Sequence, residues 1–408
     1  MVITLCRSTR QHLAYFSFFL LALLAHGSSV AALYQLEAMG RLGADFEDNI
    51  RLTETDEISD STQSVNLQLT LQRLSPIWRH QFDLGLASRN YSEENGFDYD
   101  NQTLQLSSNW QQPKFALQFG LNHNRDSSLV SELDVSGLIQ NQVRREGSTA
   151  FVNGRYSIGE LNLLSLQING QQIEYADPAQ SGLVDYDYYY MNTELQHLFR
   201  SAHRVILSLL FSQYQTELNQ QQVEDLGITV GIEGALDERW AYTFSLGLRE
   251  TSTEAEILVP DFFLFTFRPI KFTSKEQGTL YNLEISREFL SHQVALRLQR
   301  STRPSGGGEF LESDTLSLIQ QGKLSQRLSW TNQIQWIVNR EISSDSATSD
   351  RDFYSLQPGL RWRHTERSTL SIAYRYRYQE FNNQNSQADG HAIIFSYQHR
   401  WLPYRQSL

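Results

Sequence analysis

The C-terminal stretch from residue 353 to residue 401 alternates between apolar and polar side chains. Leu370, Ile372 and Tyr374 occupy every second position, with Ser371 and Ala373 between them. Successive residues of a β-strand point to opposite faces of its sheet, so this pattern predicts strands with one apolar and one polar face. Segments of about ten residues with this pattern are typical of transmembrane β-barrels.

The same alternation recurs along the chain, for example in Val65, Leu67 and Leu69, which alternate with Asn66 and Gln68. It predicts about eighteen strands. They cover residues 34–51, 65–74, 78–91, 103–110, 115–125, 143–156, 161–175, 188–198, 205–215, 223–234, 240–250, 280–289, 294–300, 315–320, 328–340, 353–363, 370–380 and 392–401. We therefore predict an all-β fold, a single antiparallel transmembrane β-barrel of about 18 strands within a range of about 16 to 20.

The connections between the predicted strands are alternately short and long. The short ones are residues 75–77, 112–114, 158–160, 199–203, 235–239, 290–292, 322–327 and 365–368. The long ones are 53–62, 92–100, 126–141, 176–186, 251–277, 301–311, 341–351 and 381–390, and the modest 216–222 falls among them. Barrels of the Gram-negative outer membrane combine short periplasmic turns with longer external loops. This alternation predicts an outer-membrane location and periplasmic termini.

Six of the seven tryptophans fall at the ends of predicted strands that adjoin short turns or the C-terminal tail. They are Trp78, Trp110, Trp240, Trp330, Trp362 and Trp401. Tryptophan is enriched where a membrane meets water, because its ring is apolar and its N–H is polar. We therefore predict an aromatic girdle on the periplasmic side.

Residues 1–32 have the pattern of a secretory signal peptide, which leaves 33–408 as the barrel domain. Arg7 and Arg10 precede an apolar run, and small residues precede Leu33. The alternative, a transmembrane anchor, needs about 20 apolar residues, more than this run contains. Removal of the two arginines changes the formal net charge from −12 to −14, which makes a nucleic-acid partner unlikely. The single cysteine, Cys6, lies in the leader, so the mature barrel has no disulfide or thiolate metal site.

The pentapeptide Asp48-Asn49-Ile50-Arg51-Leu52, near the end of the first strand, resembles the opening of the β-barrel proteins associated with exosortase/PEP-CTERM systems. Short hairpins rich in Gln, Asn, Ser and Tyr are also similar to that family. The resemblance implies an outer-membrane protein linked to the production or export of extracellular polysaccharide. Many such barrels end on an aromatic residue, whereas here Trp401 is followed by seven more residues. Either Trp401 closes the last strand and a tail follows, or the barrel-assembly machinery recognises a different signal.

Four arginines on the polar faces of neighbouring strands form a candidate basic strip in the lumen. They are Arg361, Arg375, Arg377 and Arg400. The functional interpretation is a strip that orients anionic solutes or an acidic polysaccharide. The alternative is that lumenal carboxylates pair with these arginines, and the sequence favours that alternative.

The 251–277 connection contains an apolar run that is a candidate constriction or plug loop. Its apolar residues include Ile257, Phe262, Phe263, Phe265 and Phe267. Such a run is too apolar to lie free in water. It either folds into the lumen, extends the barrel wall as an outer hairpin or contacts a partner, and inward folding is slightly preferred.

The leading functional hypothesis is a porin-like or export-associated channel for polar or saccharide material. A non-conducting scaffold in an envelope or polysaccharide assembly is the alternative, and an outer-membrane enzyme is third. No Ser/His/acid or Asp/His spacing singles out a catalytic constellation, so we expect no enzymatic activity, no cofactor and no metal site. The expected partners are outer-membrane lipid and lipopolysaccharide, the barrel-assembly machinery, and polysaccharide or polar solutes.

Overall fold

Nineteen strands follow one another in the computed structural model, which describes residues 32–133, 142–216, 221–261, 266–342, 350–382 and 386–407. The signal peptide predicted for residues 1–32 lies outside this part of the chain, apart from Ala32. The strands are β1 (Leu33–Glu47), β2 (Asp60–Leu74), β3 (Trp78–Tyr91), β4 (Tyr99–Gln111), β5 (Phe115–Ser127), β6 (Arg144–Ser157), β7 (Asn162–Tyr175), β8 (Tyr186–Arg200), β9 (His203–Thr216), β10 (Gln222–Ala235), β11 (Trp240–Asp261), β12 (Thr266–Glu288), β13 (His292–Pro304), β14 (Phe310–Lys323), β15 (Leu328–Glu341), β16 (Arg351–Arg363), β17 (Ser368–Phe381), β18 (Ser386–Arg400) and β19 (Tyr404–Ser407).

The first eighteen strands form a closed antiparallel barrel. Each strand pairs with the next in sequence, and β18 pairs with β1 so that no edge remains open. At this closure Met39 lies opposite Arg400 and Glu47 lies opposite Ala392. The predicted fold class and strand number are confirmed.

The C-terminal tail returns to the barrel instead of leaving it. β18 ends at Arg400, the Trp401 amide donates to the carbonyl of Ala38 at 3.0 Å, and β19 pairs with residues Leu33 to Leu36 of β1. Of the two alternatives for the tail, the structure shows the one in which the last strand closes near Trp401 and a short tail follows.

The two ends of the barrel carry connections of different length, as predicted. At the short-turn end, residues 75–77 join β2 to β3 and residues 201–202 join β8 to β9. At the loop end, residues 48–59 join β1 to β2, and we call this segment loop 1. Near the loop end the chain also forms two single-turn helices, α1 (Ser128–Ser131) and α2 (Pro178–Ser181), and a 3-10 turn at residues 95–97.

No helix within the described residues is long and apolar enough to cross a membrane.

The outward face of the barrel is apolar and the lumen face is polar. On β2, Val65, Leu67, Leu69 and Leu71 are each 43–50% exposed on the outside. Tyrosines such as Tyr374 and Tyr189 lie on the same outward face nearer the loop end. Because a bilayer solvates apolar side chains, this face is suited to lipid contact.

Candidate functional site

The lumen is lined by polar side chains in its short-turn half. Arg297 on β13 pairs with Glu284 on β12 at 2.7 Å, and Arg204 on β9 pairs with Glu233 on β10 at 2.9 Å. These ion pairs are substantially exposed, so the lumen is accessible to solvent here. A barrel of this strand number encloses a space wide enough for water unless other segments fill it.

Loop 1 folds into the lumen at the opposite end, and Asn49 fixes its first turn. The Asn49 Nδ2 group donates to the carbonyl oxygens of Thr53 at 2.8 Å and Asp389 at 3.0 Å, and its Oδ1 accepts the Thr53 amide at 3.0 Å. Leu52 is fully buried with a φ of 54°, a backbone conformation that is strained for a leucine. The residues that carry the family resemblance therefore build a latch between loop 1 and β18.

An apolar cluster, here the first cluster, surrounds this latch. It joins Ile50 and Leu52 of loop 1 to Leu129 and Leu133 and to lumen-facing residues of several strands: Tyr91 of β3, Ile337 of β15, Phe353 of β16 and Ala388 of β18. Ile58, Phe97 and Tyr99 pack at its edge. The cluster connects sectors of the wall that are not neighbours, so it lies across the lumen.

Residues 128–133, which follow β5, cross the lumen and link its walls; we call them the crossbar. Tyr175 of β7 donates its hydroxyl to Glu132 Oε1 at 2.6 Å, and the Gly306 amide donates to Glu132 Oε2 at 3.3 Å. Arg351 of β16 donates from Nη2 to the Leu133 carbonyl at 2.9 Å. Glu132 and Arg351 are both buried, so these bonds form in a desolvated interior.

One buried amide ties the crossbar to loop 1. Gln379 of β17 accepts a hydrogen bond from Arg351 Nε at 2.9 Å and donates from Nε2 to the Leu52 carbonyl at 2.6 Å. The path Leu52–Gln379–Arg351–Leu133 therefore couples two loop segments through the wall.

A second cluster fills the lumen between β7–β10 and β14. Phe310 of β14 lies 5.8 Å from Tyr214 of β9, between ring centroids, and both side chains are almost fully buried. Ile173, Tyr175, Leu183, Tyr186, Val223 and Ile342 complete the cluster. Aromatic rings at such distances stabilise one another beyond the apolar area they bury.

The loop ends of β13 and β14 turn inward beside this cluster. β12 pairs with β13 only as far as Tyr281 opposite Arg300. Beyond that point, Glu312 accepts from Arg249 of β11 at 2.6 Å, and Thr302 donates to Asp225 of β10 at 2.9 Å. Arg249 is buried, so this network fixes the inward position of the two strand ends.

The predicted basic strip is divided by the structure. At the loop end of the lumen, Glu47 accepts from Arg375 at 3.0 Å and also pairs with Arg377. The two arginines reach Glu47 across β18, where the small residues Ala392 and Gly390 lie opposite them. Carboxylate pairing, the alternative for the strip, is therefore what the structure shows for these two residues.

Arg361 and Arg400 lie apart from that pair, toward the short-turn end. Arg361 is opposite Ser329 and Ser371, while Arg400 is opposite Met39 near the start of the barrel closure. The four arginines share the lumen face, but they do not form one continuous strip.

The predicted plug loop extends the barrel wall over its described residues. Ile257 pairs with Ile270 and Pro260 pairs with Phe267 in a hairpin that lengthens β11 and β12. Phe262, Phe263 and Phe265 lie outside the described residues. Inward folding of residues 251–277 is thus wrong for the described part, because these residues find their hydrogen-bond partners in each other. Loop 1 and the crossbar fill the lumen instead.

The six tryptophans assigned to a girdle all lie at the short-turn end on the outward face. Trp78 stacks on Trp110 across the β3–β4 pair, with ring centroids 5.8 Å apart. The Arg287 guanidinium lies 4.7 Å from the ring centroid of Trp240. Trp330, Trp362 and Trp401 begin β15, end β16 and follow β18, respectively. Their position fits a membrane interface, and that role stays a prediction.

Comparisons with solved structures give one consistent architecture. The siderophore receptor PiuA from Acinetobacter baumannii matches with a TM-score of 0.52 and 8% identity, over 92% of this chain and 82% of PiuA. The open form of the ferric-catecholate import receptor Fiu from E. coli K12 matches with a TM-score of 0.50 and 8% identity, over 92% of this chain and 82% of Fiu. The chain is an outer-membrane β-barrel. No family model and no curated protein matches its sequence.

The orientation of the barrel follows from this architecture and from its connections. Outer-membrane barrels have short turns in the periplasm and longer loops outside, so the closure formed by loop 1, the crossbar and the two clusters is external. The apolar outward face lies in the Gram-negative outer membrane.

Sequence reasoning missed most of the residues that close the lumen. Glu47, Glu132, Arg351 and Gln379 have no local signal, because each acquires its role from partners far along the chain. Asn49 had a signal in the pentapeptide. Gly306 is the first residue of a run of three glycines, and it is buried and bonded to Glu132 and Val184.

In the described part of the barrel, no three His, Cys, Asp or Glu side chains are placed to hold a metal ion. Glu132, Arg351 and Gln379 are buried polar groups of the external closure that bond to other side chains and to backbone groups. These bonds hold the segments of the closure together.

Proposed function

We propose that the barrel is an outer-membrane channel for polar solutes whose external mouth is closed in this conformation. The observation that carries the proposal is the contrast between the two halves of the lumen. The periplasmic half is polar and accessible, whereas the external half is filled by segments that belong to loops. A barrel built only as a wall would have no need of a separate, loop-borne closure.

Two opposing free-energy contributions act on the closed position of loop 1. Burial of Ile50 and Leu52 stabilises loop 1 by about 1.5–3 kcal/mol for each side chain. The strained backbone of Leu52 opposes this by about 1–3 kcal/mol. A ligand or partner that binds the open state more tightly than the closed state would shift the population toward the open state.

The solute class we propose is saccharide. Amides and hydroxyls such as those of Gln68, Gln118, Ser165 and Thr229, which are set on the lumen face by strand register, both donate and accept hydrogen bonds, as sugars require. Participation in polysaccharide export is the finer form of this proposal. It is supported by the resemblance of residues 48–52 to the exosortase-associated barrels.

Replacement of loop 1 tests the channel directly. Glu47 and Asp60 are paired in register, so residues 48–59 can be replaced by Asn-Gly, which favours a two-residue hairpin turn. We expect proteoliposomes with the native barrel to exclude maltotriose and those with the replacement to admit it. A comparison replacement of residues 92–98, which join β3 to β4 and contribute only Phe97 to the edge of the first cluster, should leave the vesicles less permeable than the loop 1 variant.

A non-conducting scaffold is the second candidate, and the two buried clusters favour it because they resemble a permanent core. The same experiment separates the two. Exclusion of maltotriose by the loop 1 replacement, with correct folding shown by heat-modifiable migration, contradicts the channel and supports the scaffold. Neither proposal includes a catalytic step.

A further inference from the structure

A basic cavity of about 530 Å³ lies at the periplasmic mouth of the lumen, on β14 to β17. Four of its lining residues are cations: Lys323, Arg327, Arg361 and Arg363. The hydroxyls of Ser329 and Thr369 lie among them, and Leu328 is its one apolar lining residue. The cavity is far from the external closure and plays no part in it.

Strand register arranges the cations in rows. Lys323 is opposite Ser329, which is opposite Arg361, so Lys323 and Arg361 lie two strands apart, or about 10 Å between backbones. Arg363 lies two residues farther along β16, about 7 Å from Arg361 on the same face, and is opposite Thr369. Cations and hydroxyls thus alternate across the cavity wall.

These four cations have no carboxylate partner, in contrast to several other lumen arginines. Arg204, Arg297 and Arg375 each pair with a lumen carboxylate. Among the residues that the structure describes, no carboxylate lies within 4.0 Å of any of the four cations of this cavity. The Arg363 guanidinium is held in place by donating to the Gln326 carbonyl at 2.7 Å.

Such a concentration of positive charge is unexpected in a chain with a formal net charge of −12. The nearest acidic side chain in sequence is Glu366, which is exposed in the turn between β16 and β17. Unpaired cations at the edge of a low-dielectric wall raise the local concentration of anions. The cavity is therefore suited to capture an anionic ligand from the periplasm.

We propose that this cavity binds an anionic saccharide, a sugar chain that carries carboxylates. Guanidinium groups match carboxylates in a bidentate geometry, and the interleaved hydroxyls and the Gln326 amide can bond to sugar hydroxyls. Eight of the nine lining residues are polar or charged, and the volume is within the range of small-ligand pockets. The inference rests on the proposed channel only for the onward route of the ligand, since binding does not require an open lumen.

Calorimetry on the full barrel in neutral detergent tests this site, with trigalacturonate as the probe. We expect binding to the native protein and about tenfold weaker binding in each of the Arg361→Gln and Arg363→Gln variants. The matched control is Arg204→Gln, which removes a lumen arginine at the same end of the barrel that already pairs with Glu233. Its affinity should equal that of the native protein, and the neutral trisaccharide maltotriose should not bind.

Three results overturn the inference. Equal binding of maltotriose shows that charge does not direct recognition, and equal molar affinity for inorganic phosphate shows a general anion site. Tighter binding of tetraglutamate than of trigalacturonate indicates a peptide-docking site. A fourth result separates the site from the channel. If trigalacturonate binding depends on Arg361 and Arg363 but the barrel never admits solute, the site is supported and the proposed channel is contradicted.

Discussion

Glu47→Gln is expected to open the external mouth and to lower the free energy of unfolding by about 3 kcal/mol. Glu47 is the carboxylate shared by Arg375 and Arg377, and both Glu47 and Arg377 are buried. The substitution keeps the shape of the side chain but removes its charge, which leaves the buried Arg377 guanidinium and the partly exposed Arg375 guanidinium facing a neutral amide. Urea titration of the barrel in lipid vesicles measures the free energy, and planar-bilayer recordings measure the leak.

Glu284→Gln is the matched control for this substitution. Glu284 also pairs with a lumen arginine, at 2.7 Å from Arg297, but both side chains are more than a third exposed. An exposed ion pair contributes about 1 kcal/mol or less to the free energy of unfolding. The Glu284→Gln variant should therefore show no conductance and be nearly as stable as the native barrel. A second substitution, Arg377→Gln, should restore part of the lost stability to Glu47→Gln. Equal stability of the Glu47→Gln and Glu284→Gln variants would show that Glu47 does not hold the closure together.

Arg351→Met is expected to release the crossbar and loop 1 together. Arg351 is fully buried and donates to both the Leu133 carbonyl and Gln379, which in turn bonds to the Leu52 carbonyl. Methionine fills similar space without a donor, so two buried acceptors lose their partner at a cost of about 3 kcal/mol. Hydrogen exchange should rise in both residues 48–58 and residues 128–133, although they are separated in sequence.

Arg340→Met provides the comparison, since Arg340 is an exposed arginine near the loop end of β15, and Arg351 begins β16 at the same end of the barrel. Surface substitutions of this kind change stability by about 0.5 kcal/mol or less. In the double variant Arg351→Met with Gln379→Met, the loss should be smaller than the sum of the two single losses, because the two residues act through one path. An increase in exchange confined to residues 128–133 would contradict the coupling between the segments.

The strands and the faces of this barrel were predictable because they depend on neighbours in sequence. Alternation places Leu67 outside and Gln68 inside whatever the rest of the chain does. The connections and the strand-end tryptophans also follow from local order. The strand bounds differ from the predicted ones in length, since β14, for example, begins at Phe310 rather than at residue 315.

The external closure was not predictable because its contacts are long-range. Glu47 and Arg375 are 328 positions apart, and Leu133 and Arg351 are 218 apart. A period of two assigns Arg375 and Arg377 to the lumen, but it does not reveal which carboxylate faces them there. The four arginines were therefore predicted on the correct face, but the prediction that they form one continuous strip was wrong.

The apolar run around Ile257 illustrates the opposite error. Its hydrophobicity suggested burial inside the barrel, yet the antiparallel pairing of β11 with β12 continues without a break from Trp240 to Asp261. Strand pairing provides hydrogen-bond partners for the backbone N–H and C=O groups of each strand. This requirement determines the path of the chain here more strongly than side-chain hydrophobicity does.

We propose that loop 1 closes a lumen that is otherwise able to conduct, and a reversible disulfide between loop 1 and β18 tests this proposal. A Cβ atom placed on Gly390 would lie 3.3 Å from the Asn49 Cβ, a few tenths of an ångström below the usual separation in disulfides. The only cysteine of the sequence is Cys6, outside the barrel strands, so the Asn49→Cys/Gly390→Cys variant forms a single bridge within the barrel. We predict a silent barrel when the bridge is oxidised and stable conductance after reduction, because Asn49→Cys has also removed the latch.

The Asn49→Cys single variant should conduct with or without reductant. Silence of the reduced double variant, with folding confirmed by heat-modifiable migration, would contradict the claim, and so would conductance that persists when the bridge is fully oxidised.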